Sequence, residues 1–346
     1  MDKDPAQARA LLEQAVANGG IEAMYVLGEA RIAGVIAPKD VQSGLQLMQQ
    51  AAVSGDPQAK IALGKLLLYG QDVPRDITRA RTLFEEAAKA GAGEGLEELG
   101  AYLMWSERDP RAGEAILKQA GELGRGSAWV TLAEGAMYGY LGAKQRGKFE
   151  DFAQKARAAG AERIEVLEAE RSMWGIGMRA SGPKTIATLE RASEQGNATA
   201  LKALIALVRN GNQSNIRKEP ERARAYLERL SSLLSPAEIE YFNLSIDAAK
   251  TKQLSQYAEL ADRYLAQDRR VTSSFAHDLY AANPNLVIYM LQTDMKRRGV
   301  YAGAINGLAT GATIKALFKE CETLPYSRGC ADHVLDPAVI GELLAM

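Results

Sequence analysis

Two cysteines, two histidines and three tryptophans among 346 residues leave little material for a reactive centre. His277 and His333 are far apart in the chain, and neither sits in a metal-ligand or nucleophile motif. No catalytic residue, metal or cofactor is therefore expected. An excess of one charge sign is also missing. Lys and Arg total 42 against 43 Asp and Glu, a net charge of −1, which excludes nucleic-acid or membrane-surface binding built on many basic contacts. The cluster Lys296, Arg297 and Arg298 reads as a solvated helix end. No run approaches the roughly 20 apolar residues that a membrane helix needs. The stretch from Gly142 to Lys148 imitates a phosphate-binding loop, yet Phe149 stands where a metal-binding Ser or Thr is required and no buried strand precedes it. It reads as a loop between helices. The acidic pairs Glu85-Glu86 and Glu97-Glu98 read as solvent-facing helix positions.

What the chain does have is a period. Gly19, Gly55, Gly91, Gly124, Gly160 and Gly196 recur at intervals of 36, 36, 33, 36 and 36 residues. Counting from each glycine, the eighth residue is Leu27, Leu63, Leu99, Leu132 and Leu204, with Glu168 breaking the run. The fourth and ninth positions are mostly small, as in Ala23 with Gly28 and Ala59 with Gly64, so one helix backbone can approach another around the leucine. The fourteenth position is often aromatic (Tyr69, Trp105, Tyr138, Trp174), and the fifteenth is usually glycine, a left-handed helix stop.

Each unit resolves into two helices. Pro57 to Tyr69 places Ala59, Ala62, Leu63, Leu66 and Leu67 on one stripe. After Gly70 and Pro74, Asp76 caps a second stripe made by Ile77, Ala80, Leu83, Phe84, Ala87 and Ala88, which ends at Gly91. Asp4, Asp40, Asp76 and Asp109 recur as caps. The run Ala59, Leu63, Gly64, Tyr69, Gly70, Val73, Asp76, Ala80, Phe84, Ala87, Ala88, Gly91 resembles the Sel-one-like repeat, a relative of the tetratricopeptide repeat, over roughly residues 4 to 230.

That resemblance implies an all-α fold, a right-handed α/α superhelical solenoid of helix-turn-helix repeats. It implies a non-enzymatic scaffold that binds partner proteins, often at the bacterial cell envelope or in exopolysaccharide secretion. The alternatives are a cytosolic signalling adaptor and a targeting subunit of a cell-wall glycan enzyme. The expected division is a solenoid over 1–230, a helical extension or cap over 231–275 and a small helical module over 276–346. Pro220 to Leu234, Pro236 to Lys250 and Gln253 to Gln267 carry the helical stripes of the extension, with Ser235 as a cap. Because Asp4 opens a second helix whose first is absent, a preceding segment, such as a secretory signal or lipid anchor, is expected to be missing.

The last segment has its own pattern: a helix from Leu286 to Arg298 containing Leu291-Gln292, a loop with Gly299, Tyr301, Gly303, Ile305, Asn306 and Gly307, then a helix with Thr313, Ala316 and Leu317. This resembles the small three-helix peptidoglycan-binding domain, with Asn306 in place of the usual Asp, Thr310 in place of Gly and Glu320 at a normally aromatic position. The resemblance makes Tyr301, Asn306 and Thr313 glycan-binding candidates and peptidoglycan a further partner. Both cysteines lie here. Cys321 and Cys330 flank a turn-rich octet, so a disulfide between them and a periplasmic location are expected. Partner proteins are expected on the first helices of the repeats. There the in-register aromatics Tyr69, Trp105, Tyr138 and Trp174 read as packing, while Tyr25, Tyr102 and Trp129 lie off that register and read as exposed anchors.

Overall fold

The computed structural model describes residues 5–34, 39–70, 73–142, 146–265, 273–323 and 333–345. Among these lie nineteen α-helices, one short 3-10 turn at Ser231–Leu233 and no β-strand. The chain divides into two units, Met1–Leu167 and Glu168–Met346.

Unit 1 holds α1 (Pro5–Ala17), α2 (Ile21–Ala33), α3 (Val41–Val53), α4 (Pro57–Tyr69), α5 (Ile77–Lys89), α6 (Glu94–Trp105), α7 (Pro110–Glu122), α8 (Gly126–Met137) and α9 (Arg146–Ala158); the division falls inside α10 (Arg163–Trp174). Gly147 and Lys148, part of the phosphate-loop imitation, lie in the first turn of α9, and residues 143–145 fall outside the described residues. Helices pair as α2 with α3, α4 with α5, α6 with α7 and α8 with α9, and each pair packs on the next. The first helices α2, α4, α6 and α8 also touch in sequence, side by side in one layer. This is the helix-turn-helix solenoid that the glycine period predicts.

The repeat residues have distinct physical duties. Leu27, Leu63, Leu99 and Leu132 are buried. Asp40, Asp76 and Asp109 accept from the amides of Ser43, Arg79 and Ala112 at 2.9–3.0 Å, capping α3, α5 and α7. Asp4 lies outside the described residues. Two kinds of glycine alternate. Gly55 has φ of +91° and open space around a would-be Cβ, so only its left-handed backbone is needed. Gly64 instead makes room: a Cβ there would sit 2.4 Å from the Phe84 ring, and one at Gly95 would sit 2.5 Å from it. Phe84 of α5 is thus wedged against both α4 and α6.

Ion pairs stitch neighbouring repeats at close to one-repeat separation: Lys60 with Glu86, Lys65 with Glu94, Arg75 with Glu107, Glu97 with Arg125 and Glu114 with Lys148, at 2.7–3.3 Å. Each keeps solvent access on at least one partner and is small in energy, about 0–1 kcal/mol. Glu85, the remaining member of the two acidic pairs not tied across repeats or to Lys65, bonds Arg81 one turn back on its own helix.

Unit 2 continues with α11 (Gly182–Glu194), α12 (Ala198–Asn210) and α13 (Pro220–Arg229), then α14 (Pro236–Lys250), α15 (Leu254–Leu265), α16 (Ser273–Ala282), α17 (Pro284–Arg297), α18 (Gly311–Cys321) and α19 (Pro337–Ala345). Ser235 and Glu238 form a reciprocal capping box at the start of α14. Apolar side chains from Leu244 to Leu343, including Tyr257, Phe275, Leu286, Leu317 and Ile340, make one core. No break in packing marks residue 275, because α16 packs on α14 and α17 alike and most extensively on α19. Extension and module therefore share an interior.

Candidate functional site

An aromatic cluster of unit 1 forms where α6 and α8 end. These helices pack closely because Gly135 lacks a side chain: a Cβ there would lie 2.9 Å from Met104 Sδ. Trp105 closes α6, and Tyr138 follows α8 with its amide donating to Glu134 O at 3.0 Å. Gly139, at φ of +80°, reverses the chain so that the Tyr140 amide reaches Gly135 O at 2.9 Å. The reversal carries the Tyr140 ring onto Trp105, edge to face, with centroids 5.0 Å apart and planes at 83°. Trp105, Glu134, Tyr138, Gly139 and Tyr140 line an open pocket of about 690 Å³.

Burial inverts the expected aromatic roles. Tyr69, Tyr138 and Trp174, which their register assigns to packing, are 48%, 50% and 54% exposed. Tyr102 and Trp129, expected as exposed anchors, are buried, and Tyr25 is half-buried. Holes and partners explain the difference. A Cβ at Gly121 would lie 2.3 Å from the Trp129 ring, so Gly121 of α7 makes the space that Trp129 fills. Phe152 stacks on that ring at 6.1 Å, and the Lys155 ammonium lies 4.4 Å from its centroid. Tyr102 donates to Glu107 Oε1 at 2.6 Å and meets the edge of Tyr69 at 6.1 Å. The Tyr69 hydroxyl donates to Glu98 Oε2 at 2.8 Å; burial first, then the Glu98 carboxylate, pushes its ionisation above the usual phenol range.

In unit 2 the glycan-binding candidates do converge, but inward. Gln292 of α17 is fully buried. Its Nε2 donates to Thr313 Oγ1 at 2.9 Å, Leu308 O at 3.0 Å and Asn306 Oδ1 at 3.3 Å, and its Oε1 accepts from the amides of Asn306 and Gly307 at 2.9 Å. Tyr301 donates to Ala304 O at 3.0 Å. Tyr301 and Thr313 are buried, so these residues lock the loop onto α17 and α18 and present no open face for a sugar. Glu320 pairs with Arg298 at 2.5 Å. Cys321 is buried in the C-terminal core, and Cys330 lies outside the described residues. His277 and His333 are exposed, and no cluster of three or more His, Cys, Asp or Glu side chains arranged for a metal occurs among the described residues. Among those residues no helix is long and apolar enough to cross a membrane.

Sequence reasoning passed over Arg209, the bulkiest side chain fully out of solvent. Its Nη1 donates to Asp278 Oδ2 at 2.8 Å and Ser245 Oγ at 2.5 Å, its Nη2 to Asp278 Oδ1 at 2.8 Å, and its Nε to Asn210 Oδ1 at 2.9 Å. The two-pronged pair joins α12 to α16, with α14 bonded through Ser245. Burial, followed by the charges of Arg209 and Lys252, holds Lys218 below the usual lysine range.

The family model of the Sel1 repeat matches residues 1–20, 21–56, 57–91 and 207–233. These segments, about a third of the chain, are similar to Sel1 repeats. No curated protein matches the chain. Among solved structures, the chain is similar to a Sel1 repeat protein from Oxalobacter formigenes at 19% identity and a TM-score of 0.44, covering 66% of this chain and 96% of that one. It is also similar to a protective antigen of uropathogenic Escherichia coli strains displaying an SLR fold, at 19% identity and a TM-score of 0.45, covering 92% of this chain and 72% of that one. An immunity protein from Pseudomonas aeruginosa aligns at 17% identity and a TM-score of 0.35, over 67% of this chain and 76% of that one.

Proposed function

We propose that the protein is a non-enzymatic scaffold of the bacterial cell envelope that grips a partner protein through the first-helix layer of unit 1. The observation that carries this reading is the gathering of Trp105, Tyr138 and Tyr140 around one open pocket. Exposed aromatics grouped in a concavity are costly in water and are the residue types that dominate the centres of protein interfaces. The envelope location rests on Cys321 and Cys330, the only cysteines, standing close in sequence in a turn-rich stretch. Peptidoglycan contact has less support, since Tyr301 and Thr313 face inward.

A photo-crosslinking amino acid at position 138, installed in the full chain in intact cells, tests the scaffold. The expected result is one discrete protein adduct that is absent when the same group replaces exposed Leu123 on the far end of α7. Equal labelling at both positions, or none at 138, overturns the surface. Mass spectrometry of non-reduced protein tests the compartment: a mass two hydrogen atoms lighter than the dithiol supports the envelope, and two free thiols overturn it.

A further inference from the structure

We infer that the pocket formed by Trp105, Tyr138 and Tyr140 receives a basic side chain, Lys or Arg, of the partner protein. This rests on the interaction reading above and names the chemistry of the contact. Two ring planes standing at 83° and 5.0 Å apart make two walls of a cage, and Tyr138 lines it as well. The ring faces are electron-rich, so such a cage attracts a cation that brings its own alkyl stem as apolar filling.

Charge points the same way. Helices α6 and α8 carry four glutamates (Glu94, Glu97, Glu98, Glu134) and no Lys or Arg. Glu94 and Glu98 are neutralised by Lys65, and Glu97 by Arg125. Glu134 makes no ion pair among the described residues, and it is the one of the four that lines the pocket. A carboxylate beside aromatic faces in a partly desolvated concavity lacks a counter-ion that an ammonium or guanidinium would supply. An uncharged apolar side chain would fill the rings yet leave that carboxylate uncompensated, and an acidic one would be repelled.

The test uses the full chain labelled with ¹⁵N, reading the Trp105 indole resonance, assigned with Trp105→Phe. The probes are three acetylated tripeptides that differ only at the centre: lysine, norleucine and glutamate. Saturable shifts with the lysine peptide are expected, with affinity at least about tenfold above the norleucine peptide, the factor that about 1.4 kcal/mol of charge-dependent interaction produces. Glu134→Gln, which breaks no ion pair, is expected to lower lysine-peptide affinity by about tenfold with helicity unchanged, and Tyr138→Leu to lower it as well. Equal binding of norleucine and lysine peptides, an unchanged Glu134→Gln, or no saturable shift overturns the inference. The crosslinking experiment at position 138 fails or succeeds independently: an adduct there, without lysine-peptide binding, keeps the partner surface and removes its basic character.

Discussion

Unit 1 and the C-terminal half of unit 2 bury apolar surface in opposite ways. In unit 1 each helix pair packs chiefly on its neighbours along the chain, close approach comes from glycines such as Gly64 and Gly95, and the polar links between repeats are partly exposed ion pairs. From α14 to α19 the helices converge on one interior, and single buried polar side chains hold it. Arg209 clasps Asp278, Gln292 fixes the loop at 306–308, and Asn283 caps α17 while donating to Ala248 O at 2.8 Å and Thr251 O at 3.0 Å. The lesson is that a repeat array is specified by many modest, redundant local choices, whereas an aperiodic bundle is specified by a few polar nodes whose loss leaves other groups stranded.

The largest expected effect breaks that comparison most directly. Arg209→Ala leaves Asp278 and Ser245 without their partner and is expected to destabilise by about 3–5 kcal/mol. Amide exchange should then lose protection across α12, α14 and α16 together. Leu63→Ala, in the core of α4, is expected to cost about 2–5 kcal/mol but to strip protection mainly from its own and adjacent repeats. If exchange spreads evenly through unit 1 for Leu63→Ala, or stays confined to α12 for Arg209→Ala, the contrast fails.

A smaller effect separates the two kinds of glycine. Gly64→Ala drives a methyl into Phe84 and is expected to cost about 1–3 kcal/mol, with much of it recovered in the Gly64→Ala, Phe84→Leu double variant relative to Phe84→Leu alone. Gly55→Ala is expected to cost about 1–2 kcal/mol through its left-handed backbone, and no neighbouring substitution should recover it. Chemical denaturation of the set is the measurement, and rescue at position 55 would show that the spacing glycine is there for room after all.

The smallest effect is electrostatic. The Lys202 ammonium, with the backbone and hydroxyl of Ser235, lowers the Glu238 carboxyl from 4.5 to about 2. A depressed folded-state value stabilises fully above the ordinary value and loses that contribution as pH falls toward the folded one. Because the pair is largely exposed, the gain is no more than about 1 kcal/mol. The melting-temperature gap between the parent and Glu238→Gln should stay constant from neutral pH down to the ordinary carboxyl value near 4.5, then close by about 2. A gap that persists at the acid end would mean that capping geometry, not charge, carries it.

Much of unit 1 was legible because its determinants are periodic. The helix from Pro57 to Tyr69 and the caps at Asp40, Asp76 and Asp109 follow from local chemistry repeated at fixed offsets. The capping box at Ser235 was legible for the same reason. The aromatic roles were not, because recurrence in register says that a side chain has the same setting in each repeat without saying which setting. Trp129 is buried by a hole at Gly121 on another helix, a pairwise fact absent from either position alone. Arg209 gave no signal either: an arginine in the last turn of α12 looks like a favourable end charge, and its partner lies 69 residues away. The motif residues around Gln292 were readable, but as a resemblance they pointed outward to a ligand, and their bonds run inward to the loop.

That 69-residue reach governs the order in which the protein can assemble during synthesis. The cross-repeat pairs of unit 1 span 26 to 34 residues, so each junction can close soon after its second helix leaves the ribosome. Arg209 must wait for Asp278. The entropic cost of the longer loop grows only slowly, by under about 1 kcal/mol for a doubling of length, so the wait is one of translation more than of conformational search. Until α16 emerges, a cation destined for the interior faces water, and the nascent chain is a finished array joined to an unclosed bundle.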